Sequence, residues 1–176
     1  ASLDLNGDGV LQYVMLEGEP GHQDALLRTE YCVKTLSDAG VAVEKLASDN
    51  ADWVRGQATL QMQQWLETFG DEMEVVFANN DDMALGAIDA CLSNGMKEAE
   101  LPFIVGVDAT PPALEAVAAG TLKGTVQNDA AGQAESILDL CCALSRGVDP
   151  SSAVALEDGK YVWLEYTAVT SDNLKD

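Results

Sequence analysis

Side-chain oxygens recur at alternate positions near the start of the chain. The run 4–12, Asp-Leu-Asn-Gly-Asp-Gly-Val-Leu-Gln, matches an EF-hand calcium loop at its first, third, fifth, sixth, seventh and ninth positions. The ligands that this spacing predicts are the side chains of Asp4, Asn6, Asp8 and Gln12 and the backbone carbonyl of Val10. Ca²⁺ prefers oxygen donors of this kind, so the pattern favours a calcium site over a turn without a metal.

The loop departs from an EF-hand at its twelfth position, which needs a bidentate Glu. Met15 stands there, and the residues after the loop are typical of a strand rather than a helix. From the residues alone two alternatives are open: the site is weak, or a carboxylate from a distant part of the chain completes it.

Polar side chains also follow the predicted strands, at the points where those strands end. After the first strand come His22 and Asp24, with Arg28 one helical turn beyond. The groups after the later strands are Asn79, Asn80, Asp81 and Asp82 after the third, Asp108 after the fourth, and Asn128 and Asp129 after the fifth. Because ligands of open α/β sheets bind outside the carboxyl ends of the strands, we expect these groups to meet on one rim. A sugar hydroxyl both donates and accepts, so it pairs well with an Asn amide or with an Asp held by Arg.

Each of these residues also has a purely structural interpretation. Asn and Asp before a helix are common N-caps, and Asp24 with Arg28 forms an i,i+4 helix pair. Trp53 offers a flat face for the C–H side of a sugar ring, but an aromatic residue of this kind can equally belong to the core. The convergence of several such groups favours a hydroxyl-rich ligand.

The elements that must position these residues alternate along the chain. Strands are predicted over 11–16, 41–47, 74–78, 103–107, 124–127 and 161–166, and helices over 23–39, 53–69, 81–93, 111–119 and 130–146. This alternation predicts an α/β fold, a three-layer open parallel sheet with helices on both faces. We expect residues 1–176 to form a single α/β domain.

The composition argues against several classes of protein. The 176 residues carry 30 acidic and 9 basic side chains, a formal charge of −21, which argues against a nucleic-acid partner. Hydrophobic residues make up 47%, enough for a core, and no apolar run reaches the roughly 18 residues of a transmembrane helix. A phosphate-binding glycine loop, a nucleophile elbow and paired acid–base carboxylates are all lacking from the pattern, so no enzyme is predicted. The abrupt start at Ala1 suggests a piece of a longer protein.

Several motifs together resemble a known family. They are residues 4–12, Glu17-Gly-Glu-Pro-Gly-His-Gln-Asp24 with Arg28, Glu74-Val-Val-Phe-Ala-Asn-Asn-Asp81, Gly106-Val-Asp108 and Gly124-Thr-Val-Gln-Asn-Asp129. The whole chain is similar to the C-terminal lobe of the bacterial periplasmic galactose/glucose-binding proteins. Ribose-binding proteins and the effector cores of LacI-type repressors belong to the same class.

The resemblance implies a calcium-containing, non-catalytic lobe that binds a hexose, D-galactose or D-glucose. It implies that Glu74 completes the calcium site, and it implies sugar contacts by His22, Asp24, Arg28, Trp53, Asn80, Asp108 and Asn128. The implied partners are the membrane permease of an ABC transporter or a chemoreceptor. They would be met in the periplasm or outside the cell, with a lipidated N-terminus outside this chain as one form of anchor. The alternative is the sugar-effector domain of a LacI-type transcriptional regulator, and the calcium loop favours the transport protein.

The resemblance also places the helix 130–146 in an N-terminal lobe that this chain lacks. The apolar stripe of that helix consists of Ala134, Ile137, Leu138, Cys141 and Leu144. Leaving such a stripe in water forgoes hydrophobic stabilisation, so we expect the chain by itself to self-associate.

Overall fold

A four-stranded parallel sheet forms the centre of the protein, as a computed structural model that describes residues 3–174 shows it. Its strands are β1 (Leu11–Glu17), β2 (Val43–Asn50), β3 (Val75–Ala78) and β4 (Phe103–Val105), in the order β2-β1-β3-β4. Neighbouring strands are parallel, and Val76 of β3 lies opposite Val14 of β1 and Ile104 of β4. The carboxyl ends of the strands therefore share one edge of the sheet.

Helices connect the strands within the described residues. They are α1 (Gln23–Asp38), α2 (Arg55–Phe69), α3 (Asp81–Ser93), α4 (Pro111–Ala119) and α5 (Ala130–Ser145), with short 3₁₀ turns at Gly70–Glu72, Glu98–Glu100 and Pro150–Ser152. Local signals fix several of their ends: Asn80 caps α3, Pro111 opens α4, and Gly120 ends it with a left-handed φ of 80°. None of the helices in this described part of the chain is long and apolar enough to cross a membrane.

Alternate residues of the central strands face opposite sides of the sheet. Val14 and Leu16 of β1 pack in the larger core cluster, with side chains from α2, α3 and α4. Tyr13 and Met15 of the same strand pack in a smaller cluster with side chains from α1. Helices thus cover both faces of a parallel sheet, which confirms the predicted three-layer α/β fold.

The predicted strand over 161–166 is wrong. Strand β6 lies just after it, at Thr167–Val169, and pairs with β5 (Thr125–Gln127) in a separate two-stranded sheet. Alternating apolar residues predict a strand only where one face is buried against a neighbour. Here the residues Tyr161 and Trp163 are 51% and 70% exposed, and Tyr161 makes only an isolated bridge to Glu157.

Strand β4 ends earlier than the predicted bound of 107. The chain leaves the sheet at Gly106, whose N–H donates to the carbonyl of Gly124 at 3.1 Å. The N–H of Asp108 then donates to the carbonyl of Val126 at 2.8 Å. This early departure places the turn after β4 beside β5.

The chain divides into two compact units. The first contains the residues up to Val126 together with those from Ala168 on, and it includes the four-stranded sheet and α1 to α4. The second unit, Gln127–Thr167, includes α5. The single-domain assignment and the placement of the helix 130–146 in a lobe outside this chain both stay predictions.

Candidate functional site

Arg28 lies at the centre of a polar cluster at the carboxyl ends of the central strands. Its side chain is 16% exposed, and its Nη1 donates to the backbone carbonyl of Asn79 at 2.8 Å. Nη2 lies 3.5 Å from Asp24 Oδ2, and Nη1 lies 4.0 Å from Asp108 Oδ1. A cation between two carboxylates offers a ligand hydroxyl strong donors and strong acceptors side by side.

The indole of Trp53 lies beside this cluster. The ring centroid of Trp53 is 5.2 Å from that of His22, with the planes at 77°, and Arg28 Cζ is 5.8 Å from the indole centroid. Trp53 is half-buried and packs against the larger core cluster, and Asn80 Nδ2 donates to its carbonyl at 3.3 Å. Trp53 therefore packs on the core and also adjoins the polar cluster, while its contact with a sugar ring stays a prediction.

Gly18 leaves the space that this ring fills. A Cβ atom at Gly18 would lie 2.2 Å from Trp53 Cζ2, far inside carbon–carbon contact distance. The backbone at Asp52 and Trp53 is left-handed, with φ of 50° and 67°, a conformation that non-glycine residues hold only when their surroundings fix it. The position of the indole is thus set both by its own backbone and by a neighbouring glycine.

Asn80 also acts as a helix cap, as its structural interpretation proposes, and His22 acts as a cap that was not predicted. His22 Nδ1 accepts from the N–H of Asp24 at 3.2 Å, at the start of α1. Asn80 Oδ1 accepts from the N–H of Met83 at 3.0 Å, at the start of α3. Capping and participation in the cluster are compatible, because each cap uses one polar atom and leaves the rest of the side chain next to Trp53.

Asp108 and Asn128 differ in what the structure shows of them. Asp108 reaches Arg28 from a turn in which φ is 119° at Asp108 and 53° at Ala109. Asn128 belongs to the second unit, where its Oδ1 accepts from Gln133 Nε2 at 2.6 Å. In the first unit the structure brings together His22, Asp24, Arg28, Trp53, Asn80 and Asp108, and the role of Asn128 stays a prediction.

Asn79 also lies in this cluster, although the sequence pattern predicted it only for the rim and gave it no ligand contact. It is 1% exposed, its carbonyl holds Arg28, and its Oδ1 accepts from the N–H of Gly18 at 3.1 Å. Asn79 therefore connects the guanidinium of Arg28 to Gly18, the glycine beside the indole. The signal was present in the run 79–82, Asn-Asn-Asp-Asp, directly after a buried strand, but only Asn80 was predicted to contact the ligand.

Asp81 is a second residue that the sequence pattern predicted only for the rim. It is fully buried, its Oδ1 accepts from the hydroxyl of Thr125 at 2.6 Å, and its Oδ2 accepts from the N–H of Thr110 at 2.8 Å. Burial raises the pKa of Asp81 above its ordinary value, while these hydrogen bonds act in the opposite direction. Sequence alone did not show that this carboxylate faces inward.

The loop 4–12 is closed by the carboxylate of Glu74, which lies 62 residues from Gln12 in the sequence. Glu74 is 2% exposed. Its Oε1 accepts from the N–H groups of Leu5 and Asn6, the latter at 3.3 Å, and its Oε2 accepts from the N–H of Gln12 at 3.1 Å. The structure thus places at the loop the distant carboxylate that one of the two alternatives requires.

The other loop carboxylates also bind groups of the loop. Asp4 Oδ2 accepts from the N–H of Gly9 at 2.9 Å, Asp8 Oδ1 from the N–H of Val10 at 2.8 Å, and Asp8 Oδ2 from Gln12 Nε2 at 2.9 Å. The hydrogen bonds from Val10 and Gln12 lower the pKa of Asp8. In residues 3–174, no three His, Cys, Asp or Glu side chains form a cluster that could hold a metal ion. A cation here would therefore need the amide and carbonyl oxygens as well, and this all-oxygen donor set fits Ca²⁺.

Comparison with known proteins gives one family. The periplasmic binding protein domain family matches residues 3–149. The chain is 40% identical over 177 residues to the D-galactose/methyl-galactoside binding periplasmic protein MglB of Haemophilus influenzae, covering 99% of this chain and 52% of that protein. It is 34% identical over 132 residues to a xylitol-binding protein of Mycolicibacterium smegmatis, covering 75% of this chain and 35% of that protein. The chain spans about half the length of MglB.

A solved structure shares the fold. It is an ABC transporter solute binding protein from Bacillus halodurans C-125 with bound myo-inositol, and it superimposes with a TM-score of 0.79 at 32% identity. The match covers 93% of this chain and 52% of that chain.

Proposed function

The chain belongs to the periplasmic binding protein domain family, and from this membership we propose that it forms one lobe of a sugar-binding protein that serves an ABC transporter. The relatives are binding proteins by name, which confirms the prediction that the chain is not an enzyme. The polar cluster also suits a protein that binds a ligand without converting it, since the cluster offers hydrogen-bonding groups and the face of the Trp53 ring.

The observation that carries the proposal is the contact of Arg28 with Trp53, Asp24 and Asp108 at one edge of the sheet. The guanidinium lies 5.8 Å from the indole centroid and within 4.0 Å of both carboxylates. A pyranose has an apolar C–H face and a rim of hydroxyls, so a ring wall with charged groups beside it matches both parts.

We propose D-galactose or D-glucose as the ligand. The similarity to MglB supports a hexose, and the related proteins named for xylitol or solved with myo-inositol share with hexoses a high density of hydroxyls. Asp24 and Asp108 would accept from sugar hydroxyls, and Arg28 and Asn80 would donate to them. Trp53 would pack against the C–H face of the ring.

Calcium is the second part of the proposal. Bound Ca²⁺ would neutralise the carboxylates of the loop and be held by the side chains of Asp4, Asn6, Asp8, Gln12 and Glu74 and the carbonyl of Val10. The position of Glu74 supports this set, because its carboxylate joins the loop to the start of β3. The ion would stabilise the first unit away from the sugar cluster, since the loop precedes β1 and the cluster follows it.

We further propose that the protein acts in the periplasm and delivers its sugar to a membrane permease, with a chemoreceptor as a second partner. Membership in a periplasmic family supports this location. An anchor through a lipidated N-terminus remains part of the proposal, outside the described residues.

Calorimetric titration of the full-length protein tests the ligand. The panel should contain D-galactose, D-glucose, D-ribose, xylitol and myo-inositol, each with and without a calcium chelator. We expect a hexose to bind most tightly and to be recovered unchanged. Tightest binding of an inositol or a pentitol would contradict the hexose assignment but not the family.

The variant Asp108→Ala tests the site itself. Loss of this carboxylate leaves a ligand hydroxyl without its acceptor and removes one of the two carboxylates beside Arg28, so binding should weaken by about 1–3 kcal/mol. Asp71→Ala is the control, because Asp71 is exposed and precedes β3 at the opposite edge of the sheet. Equal binding by Asp108→Ala and wild type would show that Asp108 does not contact the sugar.

A further inference from the structure

The turn Asp108–Ala109 is strained. Both residues have positive φ, 119° and 53°, and neither is a glycine. Side chains disfavour this conformation, so it persists only where surrounding contacts fix it. The turn carries Asp108, whose carboxylate faces Arg28 at 4.0 Å. Whatever fixes the turn therefore fixes a group that we assign to ligand binding.

Consecutive backbone N–H groups of this turn are all bound. The N–H of Asp108 donates to the carbonyl of Val126 at 2.8 Å, and that of Ala109 donates to the hydroxyl of Thr125 at 3.2 Å. The N–H of Thr110 donates to Asp81 Oδ2 at 2.8 Å. The first of these bonds is the ordinary continuation of the β5 backbone, whereas the other two depend on side chains.

Both side-chain bonds lead to the same carboxylate. The hydroxyl of Thr125 that accepts from Ala109 donates its own proton to Asp81 Oδ1, at 2.6 Å. Asp81 thus holds the turn directly through Thr110 and indirectly through Thr125. A carboxylate suits this position because both of its oxygens accept, one from a hydroxyl and one from a backbone N–H.

The surrounding chain is shaped to admit this carboxylate. A Cβ atom at Gly106 would lie 2.5 Å from Asp81 Oδ1, so only glycine leaves room for it. The N–H of Asp81 donates to the carbonyl of Val107 at 2.8 Å, which ties the start of α3 to the residue before the turn. Asp81 itself is fully buried, so it reaches a ligand only through the turn.

We infer that Asp81 is a positioning residue for ligand binding, which holds the strained turn so that Asp108 faces Arg28 and the ligand. This inference rests on the proposed function, because it concerns the same sugar site. It adds that the affinity of the site depends on a buried carboxylate that does not touch the ligand.

The test is a double-mutant cycle in the full-length protein, with hexose affinity measured by calorimetry. Asp81→Asn keeps the shape of the side chain but replaces one acceptor by a donor, so it cannot accept from both Thr110 and Thr125. We expect Asp81→Asn to weaken hexose binding about tenfold or more, as a small misplacement of a binding group does. The control Asp82→Asn removes a charge from the same helical turn at an exposed position and should bind within about twofold of wild type.

Coupling separates positioning from a general loss of structure. If Asp81 acts through Asp108, adding Asp81→Asn to Asp108→Ala should cost less than about twofold more, because the turn no longer carries the group it positions. Additive losses would overturn the inference, and so would wild-type affinity in Asp81→Asn. If the wild-type protein binds no hexose, the proposed function fails and the inference falls with it. Weak binding by Asp108→Ala alone, with Asp81→Asn unchanged, would remove only the positioning role.

A second pair of variants keeps the test decisive if Asp81→Asn does not fold. Thr125→Val removes the hydroxyl that connects Asp81 to Ala109, and Thr125→Ser restores it. We expect Thr125→Val to bind hexose several-fold more weakly and Thr125→Ser to recover most of the affinity. Equal affinities of the two folded variants would contradict a role for this hydrogen-bond chain.

Discussion

The variant Gly18→Ala tests the packing of the sugar cluster with one added methyl group. That carbon would lie 2.2 Å from Cζ2, 2.3 Å from Cη2 and 2.4 Å from Cε2 of Trp53. Carbon contacts are favourable only from about 3.5 Å, so the ring or the loop that carries Gly18 must move by about 1 Å. The φ of Gly18 lies outside the left-handed region, so the effect is purely steric.

The displacement has consequences for stability and for binding. Overpacking of this kind lowers the free energy of unfolding by about 1–3 kcal/mol. The ring would also shift relative to His22, now 5.2 Å away, and to the guanidinium of Arg28, now 5.8 Å away. If the indole packs against the sugar, hexose affinity should fall about tenfold or more.

Calorimetric titration with hexose and chemical denaturation measure these two quantities on the same preparations. Gly56→Ala is the matched control, because a Cβ there meets no atom within 4 Å and lies in α2, where Ala is the better helix former by about 1 kcal/mol. Adding Trp53→Phe should remove the steric penalty of Gly18→Ala on stability. Hexose affinity of Gly18→Ala within about twofold of wild type, with normal stability, would refute the placement of the indole against the ligand.

Further predictions concern the loop, a buried thiol and helix α5. A chelator should lower the melting temperature, since a ligand at a hundredfold excess over its Kd stabilises by about 2.7 kcal/mol. Glu74→Gln should abolish most of this effect, whereas the control Glu72→Gln, at an exposed position, should not. A melting temperature that is unchanged by chelator would show that calcium does not bind. Burial raises the pKa of Cys91 to about 11, so at pH 8 mass spectrometry should find it unalkylated by iodoacetamide in the folded protein while the exposed Cys141 is modified; labelling at equal rates would contradict the burial. Leu138 of α5 is 63% exposed, so light scattering of this chain alone should detect self-association. Leu138→Glu should weaken that association, and a monodisperse monomer of the unmodified chain would contradict the prediction of self-association.

The parts of the fold that local chemistry determines could be predicted from the sequence. Helices α3 and α4 have the predicted bounds because Asn80, Pro111 and Gly120 act on their own neighbours. The run 161–166 could not be placed, because a strand also needs a partner and a buried face, and neither is visible in the alternation of residue types.

In the candidate site, too, local features could be predicted from the sequence, whereas contacts between distant residues could not. Residues that follow strands were found because parallel strands deliver their ends to one edge, which brought Arg28 to Asp108. The burial of the Asp81 side chain was not predicted, because its partners Thr110 and Thr125 lie 29 and 44 residues away in sequence. No local sequence pattern indicates those partners. The same limit applies to Asn79, whose backbone carbonyl accepts from Arg28, 51 residues away in sequence.

The closure of the first loop by Glu74 has a consequence for the order of folding. The segment 4–12 has the sequence of an autonomous turn, yet the N–H groups of Asn6 and Gln12 find their acceptor 68 and 62 residues later. Closing so long a stretch of chain is an entropic cost that local turns do not carry, and such contacts form late. During synthesis the loop emerges before β3, but it matures only after β3 has paired with β1. The beginning of this chain is therefore among the last parts to become native, and its protection from hydrogen exchange would report that β1 and β3 have joined.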